Sequence, residues 1–332
     1  MRKILVALGG NAILQRGQRG TAQEQRANVA ATARSLADLL EDGHQLVLTH
    51  GNGPQVGNIL IQNEEAHFAV PPQPLDVCGA ESQGMIGYML QQALGSELAR
   101  RGAACPIVTM VTQVVVDRND PAFRHPTKPV GPFYTAERAR TLARERGYPM
   151  REDAGRGWRR VVPSPQPREI VEMPAIRSLV ESGALVIACG GGGIPVWRDP
   201  ETGALEGVEA VIDKDLAAAV LGLGLGCDTL LILTDVPQVA LRYGRPEQIA
   251  VPYLTVAEAR RHLTAGEFPA GSMGPKVEAA VRFVEGGGRQ AVIASLTEAK
   301  PALAGQAGTW VVRSLEDLPG ALRPSQTLEA GA

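Results

Sequence analysis

No stretch of the chain approaches the ~18 consecutive apolar residues that a membrane-spanning helix needs. The apolar run behind Met1-Arg2-Lys3, from Ile4 to Leu8, is too short for the apolar region of a signal peptide and ends in glycine. A formal net charge of −2 leaves no electrostatic footprint for nucleic acid or an anionic membrane, so any anion site must be local. The four cysteines, Cys78, Cys105, Cys189 and Cys227, form no CxxC pair and no zinc-type spacing with histidine. Their apolar or glycine-rich surroundings suit buried thiols. These absences predict a cytoplasmic protein with no membrane or nucleic-acid partner. Also missing are a GxxxxGK[ST] P-loop, the GxGxxG, HRD and DFG elements of protein kinases, and a GxGxxG followed by a ribose-binding acid. Lysine itself is scarce, five residues against twenty-eight arginines. A chain that uses arginine wherever any cation serves marks each lysine as a candidate for a role that needs a compact point charge.

What is abundant is glycine, 38 residues clustered behind apolar runs, which predicts many strand-to-loop turns. Ile4-Leu5-Val6-Ala7-Leu8 reads as a strand buried on both faces and runs into Gly9-Gly10-Asn11. Alone, that glycine pair is a tight turn; with other features it is a place where backbone N–H groups approach an anion. Thr21 to Glu41 carries helical apolar spacing up to Gly43, and Gln45 to Thr49 is a second strand, so residues 4 to 49 form a βαβ unit. It leads into His50-Gly51-Asn52-Gly53-Pro54, a second glycine-rich loop in which His50 is an acid, a ligand or a packed residue. Residues 79 to 100 form a helix with Met85, Ile86, Met89, Leu90 and Leu94 on a broad apolar face, for the core or a subunit contact. Pro106 to Val116 reads as one long strand.

Residues 118 to 168 break this rhythm with prolines and charge, and read as an inserted, projecting lid subdomain within a single domain of residues 1 to 332. The alternation then resumes: a helix from Arg168 to Ser182, strand Ala184 to Cys189 ending in Gly190-Gly191-Gly192-Gly193, a helix after Asp213-Lys214-Asp215, and strand Leu230 to Val236. A helix after Thr255, the loop into Lys276, and strands at Ala291 to Ser295 and Thr309 to Val312 follow. Leu318 to Ala332 reads as a frayed tail. The fold class is α/β, with a mostly parallel sheet covered by helices.

Three lysines stand at predicted turns. Lys128 is bracketed by Pro126 and Pro129, Lys214 lies between two aspartates, and Lys276 follows Ser272 and Gly274 near a helix N-terminus, where free N–H groups already favour phosphate. Compact cations at the C-terminal ends of parallel strands suit a transferring phosphoryl group, whose charge spreads over its oxygens. Asp213 is placed to orient the ammonium groups.

In ordered blocks the chain resembles the carbamate kinases of the amino acid kinase superfamily: ALGGNA (7–12), THGNGPQVG (49–57), CGAESQGMIGYMLQQAL (78–94), PTKPVGPFY (126–134), WRRVVPSPQP (158–167), ACGGGGIPV (188–196), GVEAVIDKDLAA (207–218), LTDV (233–236) and GSMGPKVEAA (271–280). The resemblance implies a three-layer αβα sandwich on an eight-stranded sheet, a homodimer, and reversible phosphoryl transfer between ATP and carbamate, giving ADP and carbamoyl phosphate, run toward ATP in arginine breakdown. It implies catalytic parts for Lys128, Lys214, Lys276, Asp213, Gly9, Gly10 and Asn11. Carbamoyl phosphate is expected at Gly51, Asn52, Gly190 and Gly191, and the nucleotide at Thr234, Asp235, Val236, Tyr243, Ala270, Ser272, Met273 and Gly274. Mg2+ is expected to enter with ATP or ADP, held by nucleotide phosphates and water rather than by a protein metal site. Many relatives in the superfamily carry a lysine where this chain has Ala7, and Lys128 is the expected replacement, brought in by the lid. The alternatives are a carboxylate kinase of the N-acetylglutamate type and a sensor of nucleotide or carbamoyl phosphate without turnover.

Overall fold

The structure is a computed structural model that describes residues 1–15, 17–153, 155, 157–269 and 271–323. Eight strands build the central sheet: β1 (Lys3–Leu8), β2 (Gln45–His50), β3 (Ile107–Thr109), β4 (Leu185–Ile187), β5 (Thr229–Thr234), β6 (Tyr253–Thr255), β7 (Gln290–Ser295) and β8 (Thr309–Val312). Their spatial order is β6-β8-β7-β5-β1-β2-β4-β3, and every neighbouring pair is parallel except β7 with β8. The helices among the described residues are α1 (Ala22–Glu41), α2 (Gly53–Ala66), α3 (Leu75–Arg100), α4 (Ala136–Arg146), α5 (Met173–Glu181), α6 (Lys214–Gly224), α7 (Val256–Thr264), α8 (Met273–Glu285) and α9 (Ala299–Leu303).

Alternate strand residues face opposite sides, and the core divides accordingly. Leu5, Ala7, Val47, Leu230 and Ile232 pack under α5, α6, α7 and α8. Ile4, Val6, Leu8, Leu48 and Leu231 pack under α1, α3 and α9. The result is the three-layer αβα sandwich. Helix α1 starts where its residues dictate: Thr21 and Glu24 form a reciprocal capping box, worth about 1 kcal/mol.

Several boundaries differ from the sequence reading. The 106–116 strand is broken, because the buried Gln83 side chain bonds both the N–H and the C=O of Thr112 and peels the chain off the central sheet. Residues Gln113–Val115 instead join a second, four-stranded sheet with Leu205–Gly207, Ile194–Arg198 and Glu169–Ile170. That sheet also takes the first residues of the expected 168–182 helix, so α5 begins only at Met173. The second glycine loop is already helical from Gly53, since Pro54 suits a first helical turn. Cys78, Cys189 and Cys227 are buried free thiols, but Cys105 is partly exposed. Leu318 is buried and Arg323 bonds back to the carbonyls of Leu318 and Glu316, so the expected fraying does not extend to 318–323. Residues 324–332 lie outside the described residues.

Within the 118–168 segment, Lys128–Tyr134, Trp158–Val162 and Met150–Glu152 form an antiparallel three-stranded sheet of their own. Helix α4 lies in the same segment, capped by Thr135 and closed by Gly147 at φ 65°. Val130 and Val162 share an apolar cluster with Val56, Ile59, Leu75 and Cys78, which seats this sheet on α2 and the start of α3.

Candidate active site

The turns behind β1, β2, β4 and β5 converge at the C-terminal edge of the sheet, where α/β folds bind their ligands. Gly9 bonds through its N–H to Leu233 O at 2.8 Å, and a Cβ there would stand 2.9 Å from that oxygen. This corrects the expectation that Gly9 donates to a phosphoryl group: its amide is taken, and glycine is needed for the close approach of β5. The amides left without a backbone partner among the described residues are those of Gly10 and Asn11. The Gly51 amide is likewise taken, by Leu8 O at 3.0 Å.

Asn52 donates through Nδ2 to Ser82 Oγ at 2.8 Å and leans on the third turn. There Gly191 sits at φ 69°, and a Cβ would fall 2.2 Å from Asn52 Nδ2. Gly191→Ala is therefore expected to displace Asn52, cost about 1–3 kcal/mol in urea unfolding, and weaken turnover; wild-type values for both would refute this packing. Gln83 anchors the turn from behind, donating to Gly190 O at 3.0 Å. His50 is buried and donates from Nδ1 to Gly51 O at 3.1 Å. Burial, opposed by that hydrogen bond and reinforced by Lys214, pushes its pKa down to about 4. It is a neutral, packed residue at pH 7, which resolves the three readings left open for it.

The lysines divide between two carboxylates. Lys128 reaches from the small sheet to Asp213 Oδ2 at 2.8 Å. The other oxygen of Asp213 accepts from the Asp215 and Leu216 amides and so caps α6. Lys214 and Lys276 both bond Asp215, Lys214 through Oδ1 and Lys276 through Oδ2 at 3.1 Å. Asp215, not Asp213, thus orients these two lysines, and the sequence reading missed it although it closes the Asp-Lys-Asp triplet. Burial would raise the Asp215 pKa, but Lys214 and Lys276 outweigh it and hold the carboxyl down at about 2. Burial pushes Lys214 below the ordinary lysine range, with Asp215 pulling against it and Lys276 adding to it. The chain of Lys214 also lies against the glycine turns: a Cβ on Gly51 would meet its Cδ at 3.5 Å and Gly10 N at 3.3 Å. The Lys214 side chain thus lies beside the Gly10 and Gly51 turns, while Lys128, in the same cleft as Gly10, is held on Asp213.

Two clefts open on this edge. One, of about 330 Å³, is lined by Gly10, Gly51, Asn52, Gly191, Lys128 and Asp213. The other, of about 340 Å³, is lined by Asn11, Thr234, Asp235, Val236, Tyr243 and Met273. They share Gly10, Lys214, Gly271, Ser272 and Lys276. Gly190 and Gly274 stand behind the clefts, and the Gly274 amide is bonded to Pro269 O at 3.0 Å. Ala270 lies outside the described residues. Gln238 also lines the second cleft, a position with no signal in the sequence. Its Nε2 donates to Gly308 O at 2.9 Å, which leaves the amide oxygen as acceptor.

Two polar clefts that meet at a glycine turn and a pair of lysines, on the carboxyl edge of a parallel sheet, define a phosphotransferase of the kinase type. The profile of the amino acid kinase family matches residues 2–295. The carbamate kinases of Thermococcus kodakarensis and Pyrococcus furiosus are 55% and 53% identical to this chain, each over 94% of it and over 100% and 99% of their own lengths. The structure of carbamate kinase from Giardia lamblia bound to AMP-PNP superposes with a TM-score of 0.88 at 46% identity, covering 94% of this chain and 98% of that one. The chain belongs to the amino acid kinase family and, within it, to the carbamate kinases.

Proposed function

We propose that this kinase moves a phosphoryl group reversibly between ATP and carbamate, giving ADP and carbamoyl phosphate, and works toward ATP in arginine breakdown. The observation that carries the reading is the shared boundary of the two clefts, where Gly10, Lys214 and Lys276 can serve a group passing from one to the other. Carbamoyl phosphate occupies the cleft of Gly51 and Asn52, beside the first-turn amides of α2. The nucleotide occupies the cleft of Thr234, Asp235, Val236 and Tyr243. Lys214 and Lys276 offset the charge that spreads over the phosphoryl oxygens, and the Gly10 and Asn11 amides hold it in place. Carbamate is already an anion, so no general base is required. The neutral His50 and the lysine-bound Asp213 and Asp215 fit that chemistry.

Among the described residues no cluster of three or more His, Cys, Asp or Glu is arranged to hold a metal ion. Asp213 and Asp215 are engaged by lysines, which leaves Asp235 as the carboxylate lining the nucleotide cleft. That donor set fits Mg2+ carried on nucleotide phosphates and water, with Asp235 near its water shell. When bound, Mg2+ would neutralise charge on the nucleotide phosphates. The small sheet acts as a lid that brings Lys128 to Asp213. Val77, Met85 and Tyr88, exposed at helical spacing on α3, support a homodimer contact, and a cytoplasmic setting fits the absence of any helix among the described residues long and apolar enough to cross a membrane.

The test is direct. Protein supplied with Mg2+, ADP and carbamoyl phosphate is expected to form ATP in a coupled assay, and no ATP would overturn the reading. A finer expectation concerns the base. Val236, Gln238 and Ala240 line the cleft wall, and the Gln238 oxygen, left as acceptor by the Gly308 bond, suits the amino group of adenine rather than the carbonyl of guanine. Gln238→Leu should narrow the preference for ADP over GDP in kcat/KM by about tenfold. An unchanged ratio would remove Gln238 from base selection.

A further inference from the structure

A third cavity, of about 290 Å³, lies between the lid and the core and is separate from both catalytic clefts. Its apolar floor is Leu60 of α2, Leu75 of α3 and Val130 of the lid. The arginines of its polar wall, Arg146 and Arg160, come from the lid together with Tyr134 and Tyr148, and its carboxylates are Glu64 of α2 and Glu209. We infer that this cavity is a binding site for a small organic anion, which on binding pins the lid to the core.

The wall's two arginines and two carboxylates balance in number, but both carboxylates are already engaged. Glu64 is fully engaged, accepting from Tyr134 Oη at 2.8 Å on one oxygen and from Arg138 at 2.8 Å on the other. Arg160 is 9% exposed and stacks on Tyr148 with its guanidinium 3.9 Å from the ring centroid. Its counter-ion is Glu209, whose side chain is 60% exposed, so solvent screens much of that pair. The Arg160 Nε is buried without a hydrogen-bond partner and has no accessible surface, so Arg160 meets the cavity through its other atoms. Arg146 has no acidic partner among the described residues. The cavity therefore carries one cation without an acidic partner, Arg146, above an apolar floor. That chemistry selects a carboxylate or phosphate head on a short carbon skeleton.

The same strand couples this cavity to the catalytic cleft. Lys128–Tyr134 presents Lys128 and Val130 to the catalytic cleft, and Val130, Gly131 and Tyr134 to the third cavity. Its pairing with Trp158–Val162 is interrupted between Val130 and Tyr134, at Gly131 with φ 72°. An anion bridging the lid arginines to α2 and α3 fixes the Tyr134 end and so holds Lys128 toward Asp213. The coupling rests on the proposed function; the binding does not.

Succinate, glycerol phosphate and uncharged succinamide are the probes, titrated calorimetrically into Lys214→Ala protein, in which anion binding at the catalytic cleft is weakened. Succinate or glycerol phosphate is expected to bind, the better of the two identifying the head group, and succinamide is not. Adding Arg146→Ala, an exposed substitution that spares the fold, should weaken binding at least tenfold, and Arg160→Met should do the same. No binding to Lys214→Ala protein, or binding unchanged by both arginine substitutions, would overturn the site. In wild-type protein the bound probe should lower KM for carbamoyl phosphate without changing KM for ADP, and Arg146→Ala should abolish that effect while leaving the basal rate intact. Binding without this KM change would overturn the coupling alone, and failure of the wild-type protein to form ATP, with binding intact, would overturn the proposed function alone.

Discussion

Lys214→Ala should lower kcat for ATP formation by a factor of about 10²–10³ while leaving the circular dichroism spectrum unchanged. Among the three active-site lysines, Lys214 and Lys276 line both clefts and Lys128 lines one. Lys214 also packs against the Gly51 turn, beside the free amide of Gly10. Removing one preorganised donor from a site where charge develops typically costs this much. Lys214→Arg should not rescue the rate, because a planar fork cannot replace a point charge in a space closed by Gly10 and Gly51. Lys128→Ala should cost less, since that side chain is 34% exposed and belongs to the small three-stranded sheet. Near-wild-type turnover in Lys214→Ala protein would show that the phosphoryl group passes elsewhere.

Asp215→Asn should lose most activity and also lower stability in a pH-dependent way. The folded-state pKa of Asp215, about 2, lies below the ~3.9 of an unfolded aspartate. A depressed carboxyl contributes stability that is present above the unfolded pKa and lost as pH falls through the folded one. The contribution is therefore full at pH 7 and disappears between about pH 4 and pH 2. The shift corresponds to about 2 kcal/mol. The two partners point in different directions, however: Lys214 is pushed down by burial rather than up by its carboxylate, so desolvating the lysine offsets part of that gain. Urea unfolding at pH 7 should show the variant less stable by about 1–3 kcal/mol, with the gap closing at pH 2.5. Without the carboxylate, two ammonium groups face each other and Lys214, already pushed down by burial, falls further. Any residual activity should then decline at lower pH than in the wild type. A stability gap that does not change with pH would mean that Asp215 acts through packing and not through its charge.

Much of the fold was legible because the central strands are buried on both faces. Ile4 to Leu8 and Leu230 to Leu233 are apolar without interruption, and a run so placed is stable only inside a parallel sheet. The capping residues of α1 and the glycine turns behind the strands were equally readable, because they depend on local backbone chemistry. Chain breaks caused by distant side chains were not. Nothing between Pro106 and Val116 announces that Gln83, on a helix far earlier in the chain, will claim both polar groups of Thr112. Nor does local pattern show that the Gly9 amide is taken by Leu233.

The sequence by itself determined the alternation of strand and helix, the glycine turns, and the three lysines that the structure gathers on two carboxylates, since each follows from hydrophobic period, backbone freedom or scarcity of type. Only the tertiary structure decided how those lysines are held. Lys128 crosses from the small sheet to Asp213, and Lys276 comes from another helix to join Lys214 on Asp215. In an Asp-Lys-Asp triplet the two acids look alike. What separates them is the start of α6, which turns one carboxylate back to cap the helix and toward the lid, and buries the other between two cations.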